Sequence, residues 1–183
     1  ENIARAKGEI FNGLTDAGIA VFNADDDHAG LWRESNARRC IIDFGLRQPA
    51  AVRGQYQAAG FGSALTISLP NASLDITLQV PGEHNVMNAL AAAAAAFALD
   101  VSHRSIVAGL SGFAGVKGRL QRKPALHGST FIDDTYNANP DSVKAALAVL
   151  ALQPGKKVLV LGDMGELGTD AAAMHAEIGM AAR

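Results

Sequence analysis

Residues 131–140 read FIDDTYNANP, and this stretch decides how the second half of the chain is predicted to fold. The apolar pair Phe131–Ile132 ends a strand, and Asn139 followed by Pro140 is typical of the cap and first position of a helix. Polar side chains lie between them, at the carboxyl end of the strand, where open α/β sheets bind ligands. The stretch therefore predicts a strand, a candidate binding loop and a helix, in that order.

The same alternation continues towards residue 183. After a helix that ends near Leu152, we predict a strand at Lys157–Leu161, a loop reading GDMGELG at 162–168 and a final helix. Helical crossovers between strands imply a parallel sheet. The loop lacks the Gly-x-Gly-x-x-Gly fingerprint, so it does not indicate a dinucleotide site.

The first half of the chain combines helices with short β-rich runs, which makes the predicted fold class α/β. A helix from Ile3 to Leu14 and a strand at Ile19–Phe22 come first, and two further helices span Asn85–Leu99 and Ser102–Leu110. Between them we predict a meander of antiparallel strands, at Cys40–Phe44, Ala51–Gln57, Leu65–Leu69 and Leu74–Val80. A glycine-rich segment then predicts a domain boundary near Leu120–Pro124.

Composition and charge exclude several classes of function. The formal net charge is −2 without a basic stripe, so a nucleic-acid partner is not expected. The longest apolar stretch, Ala89–Leu99, is too short to span a bilayer, and we expect a cytoplasmic protein without a membrane partner. Cys40 is the single cysteine and lies in an apolar run, which predicts a buried, unreactive thiol.

Lys7 falls at helical spacing from Ile3, Ile10 and Leu14, and therefore on their apolar stripe. Burial there would favour the neutral amine, which can react with carbon dioxide to give a carbamate able to ligate magnesium. The alternative is a lysine whose stem lies along the stripe while its ammonium reaches water.

Further polar residues suit a ligand or a purely structural role. The run Asp25–Asp27 follows a strand and suits either a metal ion or a solvated turn with a helix cap. Asn85 and Asn88 lie three positions apart at a helix start, where their amides could contact a purine edge or, for Asn85, cap the helix.

The glycine-rich segment and the loop after Ile132 add two candidates. Arg119 is either a phosphate ligand or a surface arginine, and Asp134 suits hydrogen bonds to ribose hydroxyls. The chain contains no Gly-x-x-x-x-Gly-Lys-Ser/Thr, the loop that would hold the phosphates of ATP.

Six segments together resemble the Mur ligases in their order along the chain. They are ARAKGEI at 4–10, NADD at 23–26, GEHNVMNALAA at 82–92, GRL at 118–120, DDTYNANP at 133–140 and GDMGELG at 162–168. The resemblance implies the latter part of a central ATPase domain at residues 1–121 and the start of a Rossmann-like C-terminal domain at residues 122–183. The last two segments look most like the branch that adds D-alanyl-D-alanine to UDP-N-acetylmuramoyl-tripeptide in peptidoglycan precursor synthesis.

The resemblance also implies roles for single residues, with ATP and magnesium as cofactors. Lys7 matches the carbamylated lysine of the family and would contact a metal only in that form. Asn85 and Asn88 fall in the adenine-binding motif. The remaining nucleotide-side matches are Arg119 for a phosphate, Asp134 for the ribose, and Tyr136 and Asn137 in the same segment, while Asp163 and Glu166 lie on a loop that faces the cleft.

Two departures from the family pattern bear on activity. Glu83 stands where relatives carry a basic or neutral residue, and the phosphate-binding loop with the upstream magnesium ligands is missing. We therefore expect a chain that lacks its N-terminal part and is inactive by itself. A folylpolyglutamate synthase-like ligase and a non-catalytic nucleotide-binding module remain as alternatives.

Overall fold

A computed structural model describes residues 2–183, and its largest element is a five-stranded mixed sheet. In spatial order the strands are β1 (Ile19–Asn23), β2 (Cys40–Gly45), β3 (Val52–Ala59), β4 (Gly62–Leu69) and β5 (Ala72–Leu78). β1, β2 and β3 run parallel, and β3, β4 and β5 form an antiparallel meander. The mixed sheet is confirmed, but the assignment of β2 to the antiparallel meander is wrong.

The pairing of β2 with β3 is limited to the ends of the strands. Only Phe44 and Gly45 pair with β3, opposite Val52 and Arg53. A short connection between parallel strands normally cannot bring them side by side along their whole length. Because β3 starts where β2 ends, the meander extends beyond the carboxyl edge of the parallel strands.

Four helices accompany this sheet: α1 (Asn2–Gly8), which continues into a 3₁₀ turn (Glu9–Gly13), α2 (Ala29–Ser35), α3 (Glu83–Ala98) and α4 (His103–Gly112). α3 packs on the sheet through Val86, Leu90 and Ala93, none of which is exposed to solvent. Leu90 sits on Gly54, where an added Cβ would lie 2.9 Å from Leu90 Cδ1. Small residues at this interface, Gly54 on β3 and Ala93 on α3, allow the helix to lie close to the sheet.

Only part of the predicted apolar stripe faces the core: Leu14 packs against a buried cluster, but the residues of the stripe before it do not. Ala4 is buried, whereas Ile3 and Ile10 are 77% and 76% exposed and Lys7 is exposed with them. Trp32 of α2 contacts the face of α1 that carries Ala4, and its indole N–H donates to the carbonyl of Ala4 at 3.0 Å. The prediction that Lys7 is buried is therefore wrong.

The second half of the chain contains β6 (Gln121–Pro124), β7 (Thr130–Asp133), α5 (Pro140–Ala151), a 3₁₀ turn (Gly168–Asp170) and α6 (Ala171–Ala181). β6 and β7 form a two-stranded antiparallel ribbon. Asn139 caps α5 as predicted, and Ser142 completes a reciprocal capping box with it. A small core of Val143, Met164 and Ile178 joins α5, the loop that follows it and α6.

The predicted strand at residues 157–161 is wrong. This segment belongs to no sheet, and Val158, Leu159, Val160 and Leu161 are 70%, 40%, 90% and 38% exposed. A strand requires a hydrogen-bonded neighbour, and none of residues 2–183 pairs with this segment. The expected parallel sheet is accordingly not formed in this half of the described chain.

Two smaller predictions concern Cys40 and the membrane. Cys40 is exposed at the start of β2, so the expectation of a buried thiol is wrong. No helix in the described part of the chain is long and apolar enough to span a bilayer.

Candidate functional site

The first turn of α3 carries the two predicted amides. Asn88 Nδ2 lies 3.5 Å from Asn85 Oδ1, so the two side chains share one helix face as their spacing predicts. Asn85 Nδ2 also donates to the carbonyl of Pro81 at 2.7 Å. Gly82, not Asn85, is the residue that precedes the helix, and no side chain caps it. Capping by Asn85 is therefore wrong, and its amide links the helix to the preceding turn.

Gly82 is required by the backbone at this point. Its φ is 90°, a conformation that residues with a side chain rarely adopt, and an added Cβ would lie 2.6 Å from His84 Cε1. The same Cβ would lie 3.3 Å from Val149 Cγ2 on α5. The start of α3 thus lies against the second half of the chain.

The loop after β7 folds back onto the segment before β6. The Tyr136 N–H donates to the carbonyl of Gly118 at 3.0 Å, and the Leu120 N–H donates to Asp134 Oδ1 at 3.1 Å. The guanidinium of Arg119 lies over the ring of Tyr136. Three of the predicted residues, Arg119, Asp134 and Tyr136, are therefore brought together although they are distant in sequence.

His84 connects this group to α3. Partial burial lowers the pKa of the His84 imidazole, and the negative charge of Asp134 partly offsets that shift. His84 directly precedes Asn85, so the amides of α3 and the group around Arg119 border the same junction. Amides, a guanidinium and a carboxylate could there contact a base, a phosphate and ribose hydroxyls, respectively.

Two other residues of the loop have local roles. Asn137 Oδ1 accepts a hydrogen bond from the Ala138 N–H at 2.9 Å, and the side chain is exposed. Asp133 is buried and binds Lys123 Nζ at 2.5 Å and the Thr135 hydroxyl at 2.7 Å. These hydrogen bonds, the one from Lys123 foremost, lower the pKa of the Asp133 carboxyl. Asp133 therefore stabilises the loop, whereas Asp134 interacts with His84 at the junction.

Lys7 is not part of this group. No hydrogen bond or ion pair within residues 2–183 joins Lys7 to Asn85, Arg119 or Asp134. The role that the resemblance gives to Lys7 stays a prediction.

In the acidic run after β1, the carboxylate of Asp25 is bound by three backbone N–H groups. Burial raises the pKa of its carboxyl, but hydrogen bonds from the N–H groups of Gln48, Leu46 and Arg47 lower the pKa overall. Asp26 accepts a hydrogen bond from the His28 N–H at 2.8 Å. No group of three or more potential metal ligands occurs among the residues described.

The GDMGELG loop is held by a residue that the sequence did not single out. His175 Nε2 accepts a hydrogen bond from the Met164 N–H at 3.0 Å, and its Nδ1 lies 2.7 Å from the carbonyl of Ala171. Asp163 and Glu166 on this loop are exposed. A single histidine eleven positions after Met164 gives no local pattern, so the sequence offered no signal for it.

Comparison with known proteins assigns both halves of the chain to recognised families of domains. Residues 1–96 match the Mur ligase middle domain, and residues 118–183 match the Mur ligase, glutamate ligase domain. The UDP-N-acetylmuramoyl-tripeptide--D-alanyl-D-alanine ligase of Escherichia coli K12 is 40% identical over 99% of the chain, which covers 40% of that protein. The boundary predicted between residues 121 and 122 stays a prediction.

Solved structures agree with these matches. A crystal structure of MurF from Acinetobacter baumannii superposes with a TM-score of 0.89 at 40% identity, covering 97% of this chain and 39% of that one. MurF ligase from Thermotoga maritima in complex with ADP superposes at 0.80 over 98% of this chain and 41% of that one, and its 24% identity supports the fold alone. The chain spans about 40% of the length of the relatives it matches.

Proposed function

Because the chain belongs to the Mur ligase family, we propose that it is part of an ATP-dependent ligase that adds D-alanyl-D-alanine to UDP-N-acetylmuramoyl-tripeptide. The observation that carries this proposal is the 40% identity to the E. coli ligase over 99% of the chain. The reaction would belong to peptidoglycan precursor synthesis and take place in the cytoplasm, where ATP is available.

The junction between α3 and the loop after β7 supports a nucleotide as one ligand. In this proposal Asn85 and Asn88 contact the adenine, Arg119 contacts a phosphate and Asp134 binds the ribose. Tyr136 holds the guanidinium of Arg119 in place through its ring, and Asn137 lies beside it. These residue types match the three parts of a nucleotide, which a binding site must contact at different places.

ATP, when bound, supplies the phosphoryl group that turns the substrate carboxylate into an acyl phosphate, from which the amine of D-alanyl-D-alanine displaces phosphate. The contribution of this chain is to orient the nucleotide and to place positive charge from Arg119 near the phosphates. His84 with a lowered pKa is mostly neutral at pH 7, so it adds little charge to the site.

Magnesium does not fit the residues of the described chain by themselves. They offer no cluster of carboxylate or imidazole ligands, and Lys7 would contact the ion only as a carbamate. Lys7 is exposed, so its carbamylation rests on the family resemblance and not on burial. We propose magnesium as a cofactor of the whole ligase and derive no step through it.

The missing phosphate-binding loop supports a second candidate for the chain on its own. Without Gly-x-x-x-x-Gly-Lys-Ser/Thr, the chain keeps the contacts with the nucleoside and one arginine for a phosphate, which is what a non-catalytic nucleotide-binding module would need. A folylpolyglutamate synthase-like ligase would add glutamate instead of D-alanyl-D-alanine. The two ligases are therefore separated by their amine substrate.

The test compares the chain with the protein encoded by the complete reading frame that contains it. Release of phosphate from ATP is measured with UDP-N-acetylmuramoyl-tripeptide and D-alanyl-D-alanine, and separately with a folate and glutamate. We expect activity with D-alanyl-D-alanine in the complete protein and none in the chain alone. As a second form of the test, the chain replaces the matching segment of the E. coli ligase, and this hybrid should retain activity.

Each alternative result has a distinct meaning. Turnover with a folate and glutamate, and not with UDP-N-acetylmuramoyl-tripeptide and D-alanyl-D-alanine, would transfer the assignment to the folylpolyglutamate class. A folded complete protein that binds ADP but turns over neither amine would support the non-catalytic module.

A further inference from the structure

Both carboxylate oxygens of Glu83, the first residue of α3, are bound by side chains from elsewhere in the fold. Oε1 forms an ion pair with Nη2 of Arg47, and Oε2 accepts a hydrogen bond from the Tyr56 hydroxyl at 2.8 Å. The Glu83 side chain is 45% exposed, so water still reaches part of it. The carboxylate nevertheless has a fixed position, because two donors on different elements hold it.

One donor lies on a strand of the sheet, and the other lies in a loop between two strands. Tyr56 lies on β3, and Arg47 lies in the loop after β2. The backbone N–H of Arg47 donates to Asp25, which follows β1. A continuous set of hydrogen bonds therefore connects the carboxyl edge of the parallel strands with the first turn of α3.

The first turn of α3 needs such support. The Asn85 N–H donates to the carbonyl of Gly82 at 3.0 Å, but no side chain caps the turn, because Gly82 at the preceding position has none. A carboxylate at a helix start is also favoured by the helix dipole. Held by Arg47 and Tyr56, Glu83 fixes the turn from which Asn85 and Asn88 project.

We infer that Glu83, held by Arg47 and Tyr56, is a positioning residue that sets the orientation of the nucleotide-binding amides of Asn85 and Asn88. The inference rests on the proposed function for the identity of the ligand. Glu83 does not touch the nucleotide in this account. It acts through the helix that carries the amides.

The expected effect is moderate. Partly exposed ion pairs change an equilibrium about twofold to fivefold, and a hydrogen bond from a tyrosine to a carboxylate adds to that. We therefore expect Glu83→Gln to weaken adenosine binding by about threefold to tenfold. Adenosine is the chosen probe because it is neutral, so a change in its affinity does not arise from the altered charge at position 83.

The experiment measures adenosine and ADP binding to the chain by NMR titration, in the original protein and in three variants. Glu83→Gln removes the negative charge of the ion pair, and Tyr56→Phe removes the hydroxyl. The double variant Arg47→Glu with Glu83→Arg restores an ion pair of reversed sign and should recover part of the lost binding free energy, although it loses the favourable helix dipole and the hydrogen bond from Tyr56. Recovery by charge reversal is not expected if residue 83 contributes only its bulk.

The matched control is Glu177→Gln. Glu177 forms an ion pair with Lys144 at 2.6 Å, and its side chain is 52% exposed, which is close to the value for Glu83. This pair joins α6 to α5 and lies outside the proposed nucleotide contacts. We expect it to leave adenosine binding unchanged.

Hydrogen exchange at the backbone amides of Val86 and Met87 tests the same inference without a ligand. Glu83→Gln should speed their exchange about threefold or more relative to Glu177→Gln, because the first turn opens more often. Unchanged exchange and unchanged adenosine affinity in a folded Glu83→Gln protein would overturn the inference. If the original protein binds neither adenosine nor ADP, the proposed nucleotide site fails, and the exchange rates still decide whether Glu83 positions the turn.

Discussion

The guanidinium carbon of Arg119 lies 4.2 Å from the centroid of the Tyr136 ring. An arginine over an aromatic face is held by the charge distribution of the ring, and at exposed sites this is worth about 0.5–1 kcal/mol. The contact keeps the guanidinium over the loop after β7, and the N–H of the next residue, Leu120, donates to Asp134. Tyr136 thus limits the orientations available to Arg119 before any ligand binds.

We predict that Tyr136→Leu weakens ADP binding to the chain by about twofold to fivefold, because Arg119 loses its support. Tyr136→Phe keeps the ring and should bind ADP as the original protein does. Isothermal titration or NMR titration measures both affinities. Equal weakening in the two variants would assign the effect to the hydroxyl and contradict the role of the ring.

Asp25 gives a prediction for stability. Its carboxylate accepts hydrogen bonds from the N–H groups of Leu46, Arg47 and Gln48, and an added Cβ on Gly45 would lie 2.8 Å from its Oδ1. We predict that Asp25→Ala lowers the free energy of unfolding by about 2 kcal/mol, since these donors lose a charged acceptor.

Denaturant unfolding followed by circular dichroism measures the loss at position 25. The control is Asp27→Ala, which removes an exposed aspartate two positions away and should change stability by less than about 0.5 kcal/mol. Similar losses in both variants would mean that the acidic run acts through its total charge and not through the hydrogen bonds of Asp25.

The elements that the sequence predicted correctly are those with local signals. Asn139 and Pro140 define the start of α5 because capping depends on residues within one turn. Ser102 caps α4 for the same reason, and its hydroxyl accepts a hydrogen bond from the Ser105 N–H at 3.2 Å. The spacing of Asn85 and Asn88 also places both amides on one face of α3.

The elements that were predicted wrongly from the sequence depend on contacts with residues far along the chain. The apolar residues near Lys7 fit more than one helix face, and Trp32, far along the chain, decides that the face with Ala4 is buried. Residues 157–161 have the composition of a strand but no neighbour to pair with in the described chain. Composition alone could not reveal either outcome.

The candidate site likewise contains a motif that the sequence could identify and contacts that it could not. The motif around Asn85 could be identified from adjacent residues, whereas the contacts of Glu83 with Arg47 and Tyr56 cross 36 and 27 positions of the chain. Such separations leave no periodic pattern. Glu83 departs from the family pattern, and only the folded structure shows that it binds the side chains of Arg47 and Tyr56.

His84 gives a prediction for pH dependence at the junction. Partial burial lowers the pKa of its imidazole, and Asp134 raises it, so the isosteric change Asp134→Asn should lower that pKa further. NMR titration of the ring protons, assigned with a His84→Gln variant, measures the shift. An unchanged or raised pKa in Asp134→Asn would show that the two side chains do not interact.

The sign of the linked stability change follows from the direction of the His84 shift. Because the folded-state pKa lies below the unfolded value of 6.5, His84 contributes stability above pH 6.5 that is lost as the pH falls through the folded-state value. Asp134→Asn should enlarge this loss on acidification. Unfolding curves between pH 5 and 7.5, roughly the range in which histidine titrates, measure it.

The pair formed by Asp133 and Lys123 gives a prediction at lower pH. The hydrogen bond from Lys123 at 2.5 Å and the hydroxyl of Thr135 lower the pKa of the Asp133 carboxyl below its usual value of 3.8. A carboxyl with a lowered pKa contributes stability above the unfolded value, and this stability is lost as the pH falls through the folded-state value. Asp133→Asn should therefore reduce stability at pH 7 and flatten its decline between about pH 5 and pH 2.

Denaturant unfolding at several pH values measures the slope, with Asp16→Asn, at an exposed position, as the control. A variant at position 133 whose stability falls with acid as steeply as that of the original protein would show that Lys123 and Thr135 do not stabilise the ionised carboxylate.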